Sequence, residues 1–439
     1  MTTRKTNRNR LKRLFAPTAG LYRYVFAALA GAAIFLIGFG ISFQTLLLPV
    51  FQSVAEKWNS MIGGVVAEDS TDFTNHLLGL IFLMLGIYLV FWSIRSFIRR
   101  MAESLNPEAK RGVIDVYAKK EMLARGPKIV VLGGGTGLST LLRGLKEYSS
   151  NITAIVTVTD DGGSSGRLVN DMGIIPPGDM RNCLVALADA ERRMTDLFQH
   201  RFTQASGPLS GHSIGNLMIA GFFEQTKDVD KALQMASDVL AIRGRVIPST
   251  RDKVQLKALM EDGSEIVGET ALVASDLKVR RIFLEPEEIA PHDEAVKAIL
   301  DADLVCIGPG SVYTSVIPNL LIPGIGEALS ESKAAKAYIC NVMTQRGESD
   351  AFTAAEHMVS IEANVNHRIC DYVLVNTSAP GPDSLQRYRE GGQDVVEPDV
   401  DRIRHMGYKP VTGDFMSETD YVRHDPARLA ERLINLLYQ

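Results

Sequence analysis

The segment from Lys128 to Glu147 constrains the fold most, because a strand, a glycine turn and a helix follow one another in it. Ile129 to Leu132 is a short apolar run rich in β-branched residues, and leucines at positions 138, 141, 142 and 145 recur at helical spacing. Glycines at 133, 134, 135 and 137 let the backbone turn sharply, and the helix after them offers unpaired N–H groups to an anion. The segment predicts the first β-turn-α unit of an open α/β sheet, with a phosphate group as the ligand of the turn.

The glycine spacing limits what this turn can bind. Position 138 is Leu, so the dinucleotide fingerprint G-x-G-x-x-G is broken, and a tight turn without any ligand stays an alternative. The predicted second strand, Ile152 to Thr159, ends in Asp160-Asp161-Gly-Gly-Ser-Ser-Gly-Arg167 at the sheet edge where ligands bind. Paired carboxylates there can hold Mg²⁺, a single Asp can hold the ribose of a nicotinamide nucleotide, and the run is also a good turn sequence.

Composition excludes two broad classes of protein. The 439 residues are 46% hydrophobic, so the chain has ample material for a packed core and is not a disordered protein. A net charge of −4 argues against non-specific nucleic-acid binding, and we expect no nucleic-acid partner. The four cysteines are scattered through apolar runs without a C-x-x-C pair, which predicts buried thiols and neither zinc ligands nor disulfides.

Two apolar stretches before the glycine turn predict a transmembrane hairpin. One runs from about Val25 to Val50 and the other from Leu77 to Ile94, and a helix needs roughly 20 residues to span a bilayer. Basic residues precede the first stretch and follow the second, so the positive-inside rule places both ends in the cytoplasm. A cleaved signal peptide is disfavoured because the first apolar region is too long, whereas two buried helices of a soluble domain stay an alternative.

These features divide the chain into three parts. Residues 1–100 hold the basic N-terminal segment and two transmembrane helices, residues 101–126 a juxtamembrane linker, and residues 127–439 a cytoplasmic nucleotide-binding domain. In that domain apolar strands alternate with helices, which predicts an α/β fold with a mainly parallel sheet flanked by helices. The segment from Lys231 to Glu285 predicts a β-rich or mixed insertion. The predicted location is the plasma membrane, multi-pass, with the C-terminal domain in the cytoplasm.

Two helix starts carry polar residues of interest. In Pro177-Gly-Asp-Met-Arg-Asn182, Asp179 is the predicted cap, and Arg181 in the first turn opposes the helix dipole, which a bound anion or simple solvation would explain. In Gly211-His-Ser-Ile-Gly-Asn216, the histidine suits proton transfer, phosphate binding or a structural hydrogen bond. Both motifs therefore remain open between a ligand-binding and a structural role.

The opening pattern recurs from Asp303 to Ser315, where an apolar strand runs into Gly308-Pro-Gly-Ser311 and a helix. A second anion-binding turn on the same sheet edge would let two phosphates, or a phosphate and a sugar, be held from both sides.

Taken together, the ordered motifs resemble the gluconeogenesis factor (YvcK-like) family, which is related to the CofD-type 2-phospho-L-lactate transferases. They are Gly133 to Gly137, Thr159 to Arg167, Pro177 to Asn182, Gly211 to Asn216, Gly308 to Ser311 and Asn341 to Thr344. The resemblance covers about Lys128 to the C-terminus and implies a Rossmann-like fold that binds a phosphorylated nucleotide. The chain departs from the family pattern after Thr344, where Gln-Arg-Gly-Glu-Ser stands in place of Gln-Pro-Gly-Glu-Thr. The predicted membrane hairpin is a second departure, because it is not general in the family.

The resemblance also implies which residues contact the ligand. Carried onto this chain, it assigns phosphate contacts to Gly134, Gly135, Thr136 and Gly137. It assigns nucleotide or Mg²⁺ contacts to Asp160 and Asp161. Further ligand contacts are assigned to Arg181, Asn182, His212, Asn216 and Ser311.

Two functions follow as hypotheses. The first is a non-catalytic sensor of a UDP-sugar such as UDP-N-acetylglucosamine, held at the lipid bilayer and acting on cell shape and central carbon metabolism. The second is a Mg²⁺-dependent transferase that uses a guanosine nucleotide conjugate to pass a phospholactyl group to a deazaflavin. We expect a homo-oligomer and a regulatory protein partner in addition. A nicotinamide-dependent oxidoreductase is a more distant third.

Overall fold

The computed structural model describes residues 19–42, 71–105, 113–190, 192–204, 207–365, 368–418 and 421–438. The chain divides into two compact units, Met1–Lys120 and Glu121–Gln439. Each unit is described by itself below. The predicted basic segment, the end of the first apolar stretch and the polar connection between the two stretches lie outside the described residues.

The N-terminal unit contains two long helices, α1 (Ala19–Ser42) and α2 (Thr71–Leu105), and a third helix, α3 (Val113–Ala124), begins in it. Helices α1 and α2 approach closely at glycines: a Cβ on Gly38 would lie 2.7 Å from the carbonyl oxygen of Gly79, and one on Gly86 would lie 2.6 Å from the same atom of Gly31. Within the described residues, Leu77–Phe97 is long and apolar enough to cross a membrane, and Phe26–Phe39 is a shorter apolar helix. Two packed helices are therefore observed, and their membrane placement stays a prediction.

The C-terminal unit is built on strands and helices that alternate over most of its length. The strands are β1 (Ile129–Gly133), β2 (Ile152–Val156), β3 (Arg245–Pro248), β4 (Gln255–Met260), β5 (Glu265–Val267), β6 (Val279–Glu285), β7 (Leu304–Ile307), β8 (Ala335–Ile339), β9 (Tyr372–Asn376), β10 (Lys409–Gly413), β11 (Met416–Glu418) and β12 (Val422–His424). The helices are α4 (Gly135–Leu145), α5 (Gly163–Met172), α6 (Gly178–Leu187), α7 (Arg192–Gln199), α8 (Ile214–Thr226), α9 (Val229–Leu240), α10 (Glu269–Val273), α11 (Asp293–Leu300), α12 (Ile317–Leu320), α13 (Ile325–Glu331), α14 (Ala354–Asn364), α15 (Pro382–Glu390), α16 (Val400–His405) and α17 (Pro426–Asn435).

Seven strands form one parallel sheet in the order β10-β9-β8-β7-β1-β2-β3. The predicted α/β fold with a parallel sheet is therefore confirmed. Strand β1 pairs with β2 on one side and with β7 on the other. Strands β2 and β3 therefore extend the sheet toward one edge, and β7 to β10 extend it toward the other, so the strand order reverses at β1. Open α/β sheets bind ligands at such a reversal, outside the carboxyl ends of the strands.

Both faces of the sheet are covered because its strands are apolar on both sides. Val130 and Leu132 contribute to the hydrophobic core on one face, and Ile129 and Val131 to the core on the other. All four cysteines are buried free thiols, as the sequence predicts. Helix α17 packs directly on α4, where a Cβ on Gly144 would lie 2.9 Å from the Cβ of Ala430.

The predicted insertion is narrower than its sequence suggests. Residues 231–240 belong to α9, and Arg245–Pro248 is the edge strand of the main sheet, a run too short to be recognised as a strand from sequence. What remains is an antiparallel sheet in the order β5-β4-β6, and α10 follows its hairpin strand β5. Leu256 and Ile282 anchor this small sheet in the main core.

Candidate functional site

A cavity of about 380 Å³ opens at the carboxyl ends of β8, β7, β1 and β2, at the reversal point of the sheet. Two glycine turns form its floor. The first follows β1 and spans residues 133–137, and the second follows β7 and spans residues 308–311. They touch each other: a Cβ on Gly137 would lie 2.6 Å from the carbonyl oxygen of Pro309. Only glycine permits this approach, so the two turns act as one surface.

The first turn presents the N-terminus of α4 to the cavity. Gly134 is the extended N-cap residue and makes no side-chain cap hydrogen bond, and Gly135 follows at a φ of +68° that favours glycine. The hydroxyls of Ser139 and Thr140 donate to the carbonyl oxygen of Thr136, which secures the first helical turn from within. The predicted phosphate-contacting residues, Gly134 to Gly137, all line the cavity. A helix N-terminus in this state suits an anionic group.

The second turn is held by side chains from the loop after β8. The Gln345 amide donates to the Ser311 hydroxyl at 2.9 Å, and the Asn341 amide donates to the Gly310 carbonyl oxygen at 3.0 Å. Ser311, a predicted ligand contact, lines the cavity together with these two amides. The loop after β8 thus both shapes the second turn and forms an adjoining wall.

Three carboxylates lie at the β2 end of the cavity: Asp160, Asp179 and Glu269. Burial, together with the charge of Asp160, raises the pKa of Asp179 to about 6. Burial and the charges of Asp160 and Asp179 raise the pKa of Glu269 to about 9. Carboxyl groups with raised pKa values in a cleft are typical of binding and catalytic sites, because a bound ligand or cation can offset the free-energy cost of burying their negative charges.

Asp179 differs from its predicted role as a helix cap. Helix α6 already begins at Gly178, with Pro177 before it, so Asp179 is the second helical residue and cannot cap the first turn. Its carboxylate instead faces the first glycine turn, where a backbone hydrogen bond from Gly135 favours the charged form. Asp179 therefore belongs to the cavity lining, although the sequence predicts only a helix cap at this position.

The ionisation of Asp179 has a measurable consequence for stability. Its pKa of about 6 in the folded protein exceeds the unfolded value of 3.8, so the folded state binds the extra proton between these pH values. Stability without ligand should therefore fall as pH rises from about 4 through 6, and Asp179→Asn should raise it at pH 8 by up to about 3 kcal/mol. Urea unfolding at several pH values measures this, with the exposed Asp301→Asn as control. An unchanged pH slope in Asp179→Asn would contradict the assignment.

The wall opposite the carboxylates comes from residues far along the chain. It contains Tyr388 and Gln393, and the hairpin strand β12 adds Val422, Arg423 and His424. Arg423 is the one Lys or Arg among the described residues that line the cavity, and its side chain is exposed. Burial lowers the pKa of His424 to about 4, so its imidazole is neutral at pH 7. Sequence reasoning missed this wall because Val-Arg-His lies in an ordinary short strand.

Four predicted contact residues lie off the cavity in a buried polar network: Arg181, Asn182, His212 and Asn216. The Ser164 hydroxyl is hydrogen-bonded to His212 Nδ1 at 2.9 Å and accepts from the Asn216 amide at 3.0 Å. Arg181 donates to the Ser213 hydroxyl at 2.5 Å and to the Asn182 amide oxygen at 2.7 Å. These contacts join the N-termini of α5, α6 and α8, so in this structure the four residues support the loops behind the cavity, and their contact with a ligand stays a prediction.

The predicted Mg²⁺ pair, Asp160 and Asp161, is turned apart. One Asp161 oxygen accepts from both the backbone N–H and the hydroxyl of Thr270, which ties the loop after β2 to α10. Among the described residues, no group of three or more His, Cys, Asp or Glu side chains is arranged to hold a metal ion. Mg²⁺ commonly needs only one or two carboxylates when substrate phosphates complete its shell, and Asp160 with Asp179 at the cavity fits that requirement.

Comparison with known proteins decides the family. A sequence profile described as "2-phospho-L-lactate transferase CofD" matches residues 129–416. The Gluconeogenesis factor of Bacillus subtilis is 45% identical over 317 residues, which cover 72% of this chain and 99% of that protein. The chain belongs to the gluconeogenesis factor family, with a CofD-like domain.

A solved structure and a further relative are also similar to this chain. A crystal structure of a UPF0052-family protein from Bacillus halodurans is 44% identical and superposes with a TM-score of 0.68, covering 70% of this chain and 99% of that one. A Nostoc sp. protein that carries the family name is 41% identical over 422 residues, which are 95% of this chain and 91% of its own. Because the Nostoc alignment covers 95% of this chain, it extends into the N-terminal unit.

Proposed function

We propose that this member of the gluconeogenesis factor family binds UDP-N-acetylglucosamine in the cavity and acts as a regulatory protein. The observation that carries the proposal is the N-terminus of α4, which opens into the cavity between two glycine turns. The diphosphate would bind over this turn, where backbone N–H groups and the positive end of the helix dipole favour negative charge.

The size of the cavity supports a ligand with two ends. The loops after β8, β7, β1 and β2 follow one another along the sheet edge, so at the usual strand spacing they span about 14 Å. That length accommodates an extended nucleotide diphosphate sugar. Carboxylates at one end suit sugar hydroxyls, which can donate to them, and the Tyr388 and Arg423 wall suits the other end of the ligand.

Binding without turnover is favoured by the side chains that line the cavity. His424 is neutral and buried, and His212, which would be the other histidine candidate, lies outside the lining. Among the described lining residues there is no cysteine, and neither Ser311 nor Ser315 contacts a histidine in the hydrogen-bond network. This arrangement suits recognition by many weak donors better than nucleophilic catalysis.

Calorimetry on the full chain in detergent tests the proposal. The protein is titrated with UDP-N-acetylglucosamine, GDP and NAD, each with and without Mg²⁺. Preferential binding of the UDP-sugar without release of a product supports the sensor. Failure of saturating UDP-N-acetylglucosamine to bind or to raise the melting temperature would contradict it.

Arg423→Ala should weaken binding of the nucleotide sugar by about tenfold to a hundredfold. The guanidinium is the sole cation of the described cavity lining, and hydrogen bonds to charged groups contribute about 1.5–3 kcal/mol. The same calorimetric titration measures the loss. Arg404→Ala is the matched control, because Arg404 is exposed and pairs only with Asp401 at the surface. Equal affinity in Arg423→Ala and the unmodified chain would remove Arg423 from the site.

A second candidate function is the Mg²⁺-dependent transfer of a phospholactyl group from a guanosine nucleotide conjugate. It is favoured by the CofD profile and by the carboxylates of Asp160 and Asp179 beside the phosphate turn. Mg²⁺ held there would offset the charge of a breaking pyrophosphate bond, whose leaving group is GMP. Release of GMP that depends on Mg²⁺ and a deazaflavin acceptor would establish this activity, and its absence with an intact site would leave the sensor.

We further propose that α1 and α2 tether the protein to the plasma membrane with the CofD-like unit in the cytoplasm, where a UDP-sugar sensor would meet a regulatory partner. Apolar side chains on both helices, such as Phe26, Met84 and Phe91, are exposed in the unit itself and suit a lipid environment. Cell fractionation and protease accessibility of a C-terminal tag test this placement. Light scattering in detergent tests the expected homo-oligomer.

A further inference from the structure

The N-terminal end of the helical segment after the second glycine turn already holds an anion from within the chain. This segment runs through a π-helical stretch, Val312–Val316, into α12. Glu348, which is 7% exposed, lies against its first residues. The Tyr313 N–H donates to Glu348 Oε2 at 3.3 Å, and the Thr314 hydroxyl donates to Oε1 at 3.1 Å. Burial raises the pKa of Glu348 to about 7; these hydrogen bonds, with others from the Ser311 hydroxyl and the Thr314 N–H, oppose the rise, so the group is a carboxylate above this pH.

These donors are the ones that a phosphate would use at a helix N-terminus. In the first turn the Asp179 carboxylate accepts a backbone hydrogen bond from Gly135, and in the second turn both Glu348 oxygens are engaged. The carboxylate is brought there by a tight turn, in which Glu348 N–H donates to the Gln345 carbonyl oxygen at 3.1 Å. The two turns look alike in sequence, but the carboxylate at the first turn lines the cavity and the one at the second turn does not.

We propose that Glu348 is an internal anion that takes the place of a ligand phosphate in the second turn and positions this turn for binding. The inference rests on the proposed function for its ligand. It follows that a ligand phosphate would bind at the first turn, whose residues line the cavity, and not at the donors that Glu348 engages. The second turn contributes Ser311, together with Gln345, as uncharged hydrogen-bonding groups toward the rest of the ligand. Glu348 is a positioning residue, since it lies behind Ser311 and is not part of the cavity lining.

An experiment that removes the Glu348 carboxylate by substitution and then adds acetate to the solution distinguishes a positioning role from simple packing. In Glu348→Ala, the affinity for UDP-N-acetylglucosamine should fall by about tenfold, because the donors of the turn lose their charged acceptor. Acetate in excess at constant ionic strength should restore part of the affinity and raise the melting temperature of this variant. Glu348→Gln should also bind more weakly, but acetate should not restore it, because the amide still fills the space.

The controls separate this inference from the proposed function. Glu287→Ala removes an exposed carboxylate, so its affinity should be unchanged and its melting temperature insensitive to acetate. The melting temperatures are measured on the full chain in detergent without nucleotide, so they test the internal anion even if UDP-N-acetylglucosamine does not bind. A folded Glu348→Ala that acetate neither stabilises nor rescues would overturn the inference. Should Glu348→Ala not fold, a Glu348→Gln protein with unchanged affinity and melting temperature would overturn it equally.

Discussion

Gly144→Ala is expected to destabilise the CofD-like unit by about 3 kcal/mol or more. The added Cβ would overlap the carbonyl oxygen of Pro426 and would lie 2.7 Å from its carbonyl carbon and 2.9 Å from the Ala430 Cβ. Overpacking of a core typically costs about 1–3 kcal/mol, and here the obstacle is backbone that cannot rotate aside. Helix α17 would have to move away from α4 and expose Leu429 and Leu433, which are fully buried.

Thermal and urea unfolding followed by circular dichroism measure this loss. Gly221→Ala is the matched control, because Gly221 lies inside α8 with no atom within 4 Å of its added Cβ. That change should raise stability by up to about 1 kcal/mol, since alanine favours the helix. Similar stability of the two variants would show that α17 does not pack on α4 as described.

Gly137→Ala is expected to abolish measurable binding of the nucleotide sugar while the protein stays folded. Its Cβ would lie 2.6 Å from the carbonyl oxygen and 3.0 Å from the carbonyl carbon of Pro309, so the two glycine turns would be forced apart. The shift displaces the N-terminus of α4 and Ser311 together. Loss of several hydrogen bonds to a charged group corresponds to at least about a hundredfold weaker binding.

Calorimetric titration beside circular dichroism separates this effect from unfolding. The melting temperature should change less than in Gly144→Ala, because the turns border the open space of the cavity, whereas α17 packs on the core. Gly221→Ala again serves as the control and should bind with unchanged affinity. Unchanged affinity in a folded Gly137→Ala would exclude the paired turns as the phosphate site.

Local signals made the first turn and the parallel sheet predictable. Strand β1, its glycines and the leucines of α4 are adjacent in sequence. Their β-turn-α pattern is enough to place the glycine turn at the carboxyl end of β1, where open sheets bind ligands. The alternation of strands and helices likewise predicts the layered fold. Among the described residues, length and apolar composition mark Leu77–Phe97 as able to cross a membrane and Phe26–Phe39 as shorter, so the membrane hairpin stays a prediction.

Long-range contacts made the rest of the site unpredictable from local patterns. Arg423 reaches the cavity from β12, and Glu269 reaches it from a helix of the insertion, so neither has a neighbour in sequence that marks it. Asp160 and Asp161 are adjacent, yet only Asp160 lines the cavity because Thr270 engages the other. Glu348 belongs to a stretch recognised only through the family resemblance, and its role depends on the buried donors of Tyr313 and Thr314.

The neighbours of the central strand also govern when the site comes into existence during synthesis. Ile129 pairs with Ile152 soon after translation, but its other partner, Leu304, is made much later. Domains generally fold as units once enough chain has emerged from the ribosome, and pairings between distant segments form slowly. A nascent chain that ends before β7 therefore carries the first glycine turn without the second, and one that ends before β12 lacks Arg423. The complete cavity therefore forms only when nearly the whole unit has been translated.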